Sequence, residues 1–263
     1  MKILAMTCCC VDVFPEKNTV VAGGNALNLA VACSKTGKAG VYVMGNIGDD
    51  DYGKTVRESA SRFNIDLSRL YTVKGFTAHH VINIDSNGDR YFKPGSWHDG
   101  VWKKYIITPS DAEFMKEMDA VATTCYESCF ESIIDLRKKS NFMLSVDFHD
   151  EKINQQWEKY FNMIDLFFIS GNNQNLDVLE KWSKKFNTVF TATLGRDGSI
   201  SFYQGKKFLC DAVKVKKIID TTGCGDSYQG TFLTDYLLRR DVRGAMESGS
   251  KAAAETLSFV GGF

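Results

Sequence analysis

The feature that most narrows the fold is a long alternation of apolar, strand-like runs with helical patterns. The apolar run 2–11 (KILAMTCCCV) precedes a helical pattern at 25–37, and a strand-like run at 39–48 precedes another at 50–64. The rhythm resumes with strand-like runs at 119–126, 141–148, 164–170 and 187–195, separated by helical patterns at 129–140, 153–163 and 175–186. Strands that are apolar on both faces and separated by helices build βαβ units, hence a mostly parallel sheet covered on both sides. The expectation is an α/β fold of three layers, α/β/α. Two segments break the rhythm: residues 15–24 and 75–95 carry strand patterns with no helix between them. Within the second, VINIDSNGDRYF reads as a hairpin turning at Asn87-Gly88. These pieces predict a small β lid, with segments near 13–22 and 72–98. Residues 198–215 read as an antiparallel excursion, 213–219 as strand-like, and the last helices are expected at 225–239 and 242–259. Three prolines and no linker-like or repetitive tract make one domain, 1–263, the economical reading.

Charge and cysteine usage remove several classes of function. Lys plus Arg and Asp plus Glu both total 32, so no net field draws the chain to nucleic acid or to an anionic membrane. No run approaches membrane-spanning length, and the N-terminus lacks the features of a secretory signal. Three of the eight cysteines are consecutive, Cys8-Cys9-Cys10. Neighbours on a strand point to opposite faces, so the trio pairs poorly with itself. With no CxxC and no cysteine–histidine spacing suited to a metal, the thiols read as small hydrophobes of a reducing compartment, and a cytoplasmic location is expected.

The sharpest local feature is GCGD, residues 223–226, ahead of an apolar helical run. Glycines there permit a tight turn and close approach of a ligand to main-chain N–H groups, and a helix N-terminus favours an anion. Asp226 beside such a site is placed to take a proton from a hydroxyl that attacks a phosphate. The plainer reading is a turn with a helix cap, and the tetrad alone does not separate the two. Cys224 as a nucleophile is a third reading; none of His79, His80, His98 and His149 stands in a motif that would supply its base. There is no GxxxxGK[ST] loop, and no GxGxxG follows the first strand.

DTTGCGDSYQGTF (220–232) resembles the C-terminal signature of the ribokinase-like (PfkB) carbohydrate kinases, roughly D-T-x-G-A-G-D-x-F-x-G. GGNALNLAVACSKTG (23–37) followed by MGNIGDDDYG (44–53) resembles the family's N-terminal signature, and TLGRDGS (193–199) its T-x-G-x-x-G nucleotide loop. The resemblance covers nearly the whole chain and implies a ribokinase-like three-layer sandwich with a mostly parallel central sheet and a β lid. It implies that Asp226 is the catalytic base, with the backbone of Gly223, Cys224 and Gly225 forming an anion hole. It assigns Asp12, Gly23, Gly24 and Asn28 to sugar binding, Arg90 of the hairpin to closure over the site, and Thr193, Gly195 and Gly198 to the nucleotide. It further implies ATP as phosphoryl donor, Mg²⁺, and a homodimer formed through the lid.

Two departures stand out. Cys224 replaces the family's usual alanine, a small change that keeps the N–H. Where the family carries an N-x-x-E motif that organises Mg²⁺, residues 171–177 read GNNQNLD, so the residue that tunes the metal is not identified. Within the family, VDVFP followed by GGNALNLAV, the compact lid and TLGRDGSI most resemble the bacterial fructoselysine kinases. That resemblance implies a fructosamine substrate phosphorylated at its terminal hydroxyl; its amino-acid arm needs charged or polar partners, for which His98, Asp99 and Glu127 are candidates that the sequence alone does not place in the pocket. Another small sugar, a nucleoside, or a catalytically silent sugar sensor on the same fold are the alternatives.

Overall fold

The computed structural model describes residues 1–6, 8–84, 90–91, 93–171 and 176–263, with backbone alone at 84, 90 and 91. In chain order the elements begin β1 (Lys2–Ala5), β2 (Cys10–Phe14), β3 (Thr19–Gly23), α1 (Asn25–Lys35), β4 (Gly40–Gly48), α2 (Asp51–Ala60) and β5 (Ile65–Val73). The short strands β6 (His79–Val81), β7 (Asn83–Ile84), β8 (Arg90–Tyr91) and β9 (Trp97–His98) follow. Next come α3 (Pro109–Lys116), β10 (Ala120–Thr124), α4 (Phe130–Arg137), β11 (Met143–Asp147), β12 (Leu166–Ser170), α5 (Leu176–Lys185) and β13 (Val189–Thr193). The chain closes with β14 (Ser199–Tyr203), β15 (Lys206–Cys210), α6 (Cys224–Arg239) and α7 (Val242–Thr256).

The central sheet runs β15-β14-β13-β12-β11-β10-β1-β4-β5, parallel from β13 to β5, with β14 and β15 added antiparallel. β12 shows why three layers form. Leu166 and Phe168 enter a core shared with Leu27 of α1, Phe232 of α6 and Met246 of α7. Phe167 and Ile169 enter the opposite core, with Met115 of α3, Ile133 of α4 and Leu179 of α5. Alternating residues with two apolar destinations require a helical layer on each face. The fold is that expected: α/β, three layers, with a smaller sheet beside them in which β2 pairs antiparallel with β3 and parallel with β6.

The structure corrects several element boundaries. Residues 2–11 are two strands rather than one: Met6 N–H still donates to Ala122 O in the central sheet (2.7 Å), whereas Val11 N–H donates to Ala78 O in the lid (3.1 Å). Across that crossover Cys8 and Cys10 pack with Ala78 and Trp102 while Cys9 faces the main core, and all eight thiols are free. The helical pattern at 153–163 becomes a 3₁₀ helix, Gln155–Tyr160, because Trp157 and Tyr160, three apart, both pack on the aromatic core. Residues 213–219 form no strand; β15 is already the sheet edge, and Val213, Ile218 and Ile219 are exposed. The last helix ends at Thr256, short of 259. Two elements had no counterpart in the sequence reading: the half-exposed edge strand β5, and α3, which opens on a Thr108/Asp111 capping box.

The lid sheet runs β3-β2-β6-β9, and β7 pairs antiparallel with β8, Asn83 opposite Tyr91 and Ile84 opposite Arg90. The expected Asn87-Gly88 turn lies outside the described residues. Asp50 ties this lid to the central sheet. One of its oxygens caps α2 through Gly53 N–H (2.9 Å) and accepts the Thr77 hydroxyl (2.6 Å); the other accepts Thr77 N–H (3.0 Å). Thr77 in turn accepts Gly48 N–H at 2.9 Å. Burial pushes the Asp50 carboxyl up, but these hydrogen bonds outweigh it and hold the group below its ordinary value. A depressed carboxyl stabilises the fold above the unfolded pKa and loses that contribution as pH falls through the folded one. Asp50→Ala is expected to cost about 2–3 kcal/mol at neutral pH, and less below about pH 4, measured by urea denaturation across pH. An equal cost at pH 3 and pH 7 would contradict the anchoring role.

Candidate active site

The parallel strands point their C-terminal ends at a cleft between the central sheet and the lid, where open α/β sheets bind ligands. α6 begins there. Gly223 precedes it at φ 73°, and a methyl group on Gly223 would lie 2.5 Å from Gly262 Cα and 3.2 Å from Asn28 Nδ2. The left-handed turn and the close packing both demand glycine. At Gly225 a methyl would meet no described atom within 4 Å beyond its chain neighbours and its own helix backbone, so the space beside the helix start is open. The N–H groups of Gly225 and Asp226, in the first helical turn, have no acceptor within the helix, and with the helix dipole they favour an anion. The Cys224 N–H is different from expectation: it turns back onto Thr221 O at 3.3 Å, within the tight turn that Thr222 N–H and Asp220 Oδ1 close at 2.8 Å.

Asp226 is 8% exposed and sits between the starts of α1 and α6. Asn25 Nδ2 donates to Oδ1 at 2.9 Å and Asn28 Nδ2 to Oδ2 at 2.8 Å. Burial raises its pKa; the two amides lower it, the charge of Asp147 raises it further and that of His149 opposes the rise. The result is a carboxylate more basic than usual, which strengthens it as a proton acceptor.

Around this carboxylate the structure gathers several of the residues expected to bind sugar. A methyl on Gly23 would stand 3.5 Å from Asp12 Oδ2 and 3.9 Å from Asn28 Oδ1, so the two acceptors flank that glycine. Asn28 Oδ1 is buried and without a hydrogen-bond partner among the described residues. Gly24, at φ 93°, lets the chain pass Cys8 O, which caps α1 by accepting Ala26 N–H at 3.3 Å. Arg90 has its backbone paired with Ile84, and its side chain lies outside the described residues. Glu127, 6% exposed, accepts Trp102 Nε1–H at 3.0 and 3.1 Å. Burial pushes its pKa up to about 7, with the Trp102 hydrogen bond and Lys103 pulling down. His98 and Asp99 are exposed: His98 stacks on His79 with centroids 4.4 Å apart, and Asp99 accepts Trp97 Nε1–H at 2.7 Å.

On the far side of the cleft, Thr193 ends β13, and the following loop closes through Gly198 N–H to Gly195 O (3.1 Å). Tyr228 of α6 binds Ser199 Oγ at 2.9 Å, fixing that loop's exit against the same helix that carries Asp226. Three further residues stand at the site without a sequence signature of their own: Asn25, Asp147 and His149. Asn25 lies in the same GGNALN stretch as Asn28. Asp147 ends β11, and His149, at φ 52°, donates its N–H to Asp147 Oδ1 (2.8 Å) and stacks on Tyr126. The signal for this pair is a carboxylate at a parallel strand's C-terminal end, where such sheets place chemistry. Among the described residues no group of three or more His, Cys, Asp or Glu side chains is arranged to hold a metal, and no helix is long and apolar enough to cross a membrane.

Known proteins place this cleft in context. The family model for pfkB family carbohydrate kinases matches residues 15–262. Fructoselysine 6-kinase of Shigella flexneri is 29% identical over 257 residues, covering 96% of this chain and 95% of that one. Fructosamine kinase FrlD of Bacillus subtilis is 24% identical over 270 residues, covering 100% and 93%. A ribokinase of Arabidopsis thaliana solved with ribose and ATP superposes with a TM-score of 0.82 at 19% identity, over 99% of this chain and 93% of that one. The chain belongs to the pfkB family of carbohydrate kinases.

The geometry separates the roles open to Cys224. Burial pushes its thiol up to about 12, and the charges of Asp220 and Asp226 act in the same direction. The group is therefore a thiol at neutral pH, not a nucleophilic thiolate. Cys224→Ala is expected to keep phosphoryl transfer within about threefold of wild type, because the change is small in volume. A loss of activity greater than about a hundredfold, with the fold intact by circular dichroism, would restore a role for the sulfur.

Proposed function

We propose that this pfkB-family carbohydrate kinase transfers the γ-phosphoryl group of ATP to the terminal hydroxyl of a ketose-type substrate, a fructosamine such as fructoselysine, giving the 6-phosphate. The observation that carries the reading is a basic, buried Asp226 held beside the open N-terminus of α6. In this reading the sugar lies across Gly23, with hydroxyls donating to Asp12 and to the unpartnered Oδ1 of Asn28. Its terminal hydroxyl points at Asp226, which takes the proton as that oxygen attacks phosphorus and ADP departs. The first-turn N–H groups of Gly225 and Asp226 stabilise the charge on the transferred group. Thr193 and the loop 194–198 line the nucleotide. Mg²⁺, held mainly by phosphate oxygens and water, would neutralise phosphate charge; Asp147, an oxygen donor whose charge acts on Asp226, is the residue suited to its water shell. Carboxylate and amide groups of this kind also suit other small sugars; the fructoselysine and fructosamine kinases among the relatives, and Glu127, favour the fructosamine. The lid edge β3, with Val20 exposed, suits pairing with a second copy.

Glu127 supports the amino-acid arm of such a substrate. Among the described residues this buried carboxyl accepts from one indole N–H and retains lone pairs, and a secondary ammonium would both pair with it and keep it ionised. Asp226→Asn is expected to lower kcat by about 10²–10⁴-fold while calorimetry shows ATP still bound. Retained turnover within a few-fold of wild type would overturn the base assignment. Glu127→Gln is expected to lower the ratio of kcat/KM for fructoselysine to that for fructose by about 10–100-fold. An unchanged ratio would show that Glu127 does not read the arm. If no phosphate leaves ATP with any polyol, ketose or fructosamine, the chain is a sugar sensor instead.

A further inference from the structure

Asn25 opens α1 and is half-buried, yet its side chain does not serve its own helix. It crosses to α6 and donates to Asp226 Oδ1 at 2.9 Å, while Asn28, one turn later on the same face, donates to Oδ2 at 2.8 Å. The i, i+3 spacing puts both amides over one side of α1. Each oxygen of the carboxylate is thereby engaged by a neutral donor, and the plane of the group is set by two contacts instead of one. The backbone enforces this placement. Gly24 passes so close to Cys8 O that a methyl there would sit 2.3 Å away, and the Cys8 carbonyl caps Ala26 N–H, so the first turn of α1 cannot rotate freely.

From this geometry we infer that Asn25 is a positioning residue for the base: with Asn28 it forms a two-amide cradle that orients the Asp226 carboxylate and favours its ionised form. The inference rests on the reading of Asp226 as the base, but the cradle can be measured without turnover. The groups facing Asp226 are Asn25 and Asn28 from α1, Asp147 and His149 from the end of β11, and Cys224 on its own helix. Amide donors favour the charged form, so removing one raises the carboxyl's pKa, whereas Asp147 and His149 are untouched by the change.

The test is a ¹³C carboxyl NMR titration of the full chain, with the Asp226 resonance identified by its loss in Asp226→Asn. Asn25→Ala is expected to raise the Asp226 midpoint by about one pH unit, a tenfold change in the ionisation equilibrium. Asn25→Gln, which keeps an amide, is expected to restore part of that shift. In parallel, the acid limb of the kcat/KM profile should move to higher pH by the same amount, with the KM for ATP little changed. An Asp226 midpoint that coincides with wild type in Asn25→Ala, with only the melting temperature lowered, would reduce Asn25 to a staple between helices and overturn the inference. A shifted midpoint in a protein whose Asp226→Asn variant still turns over would keep the cradle and refute the base.

Discussion

The structure is organised around one buried negative charge. Asp226 lies where α1 and α6 both start, and a carboxylate there would be costly without partners. Two amides from α1 and the dipoles of two helix starts meet that cost, so Asp226, the start of α1 and the start of α6 are a single packed unit. Gly223 lets α6 begin within contact of Asn28 and Gly262, and Gly24 lets α1 begin against Cys8. Moving either helix start would pull the amides from the carboxylate, which couples the geometry of the base to the crossing of the chain from sheet to lid.

Much of the layered fold was legible because parallel strands buried on both faces leave continuous apolar runs. Phe167 and Phe168 are adjacent and serve opposite cores, a pattern that survives in the sequence as a plain apolar string. The errors fall where local pattern is indifferent to partners. Residues 2–11 are apolar throughout, yet they cross from one sheet to another, and nothing in their hydropathy marks the crossing at 6–10. Residues 213–219 look strand-like but pair with no strand, and Val213, Ile218 and Ile219 stay exposed. β5 went unread because its burial alternates weakly at an edge.

The site was legible as glycines and aspartates, and less so as amides. Asp226 and Gly223 announce themselves by a turn before a helix. Asn25 does not, since an asparagine at a helix start is ordinarily a local feature, and only the packing of α1 on α6 shows that its amide reaches a carboxylate 201 positions away. Glu127 is similar: a carboxyl at the end of β10 acquires meaning once Trp102 closes over it and burial lifts its pKa to about 7.

The central claim is that this carboxylate, at this helix start, directs the terminal hydroxyl of a fructosamine onto the γ-phosphorus of ATP. The most direct test is ³¹P and ¹³C NMR of the product formed from ATP and fructoselysine. The account predicts one new phosphomonoester whose phosphorus couples to the terminal carbon of the sugar, formed by the wild-type chain and not by Asp226→Asn. A phosphoryl group on any other carbon, or the same ester formed at comparable rate without the Asp226 carboxylate, would contradict it.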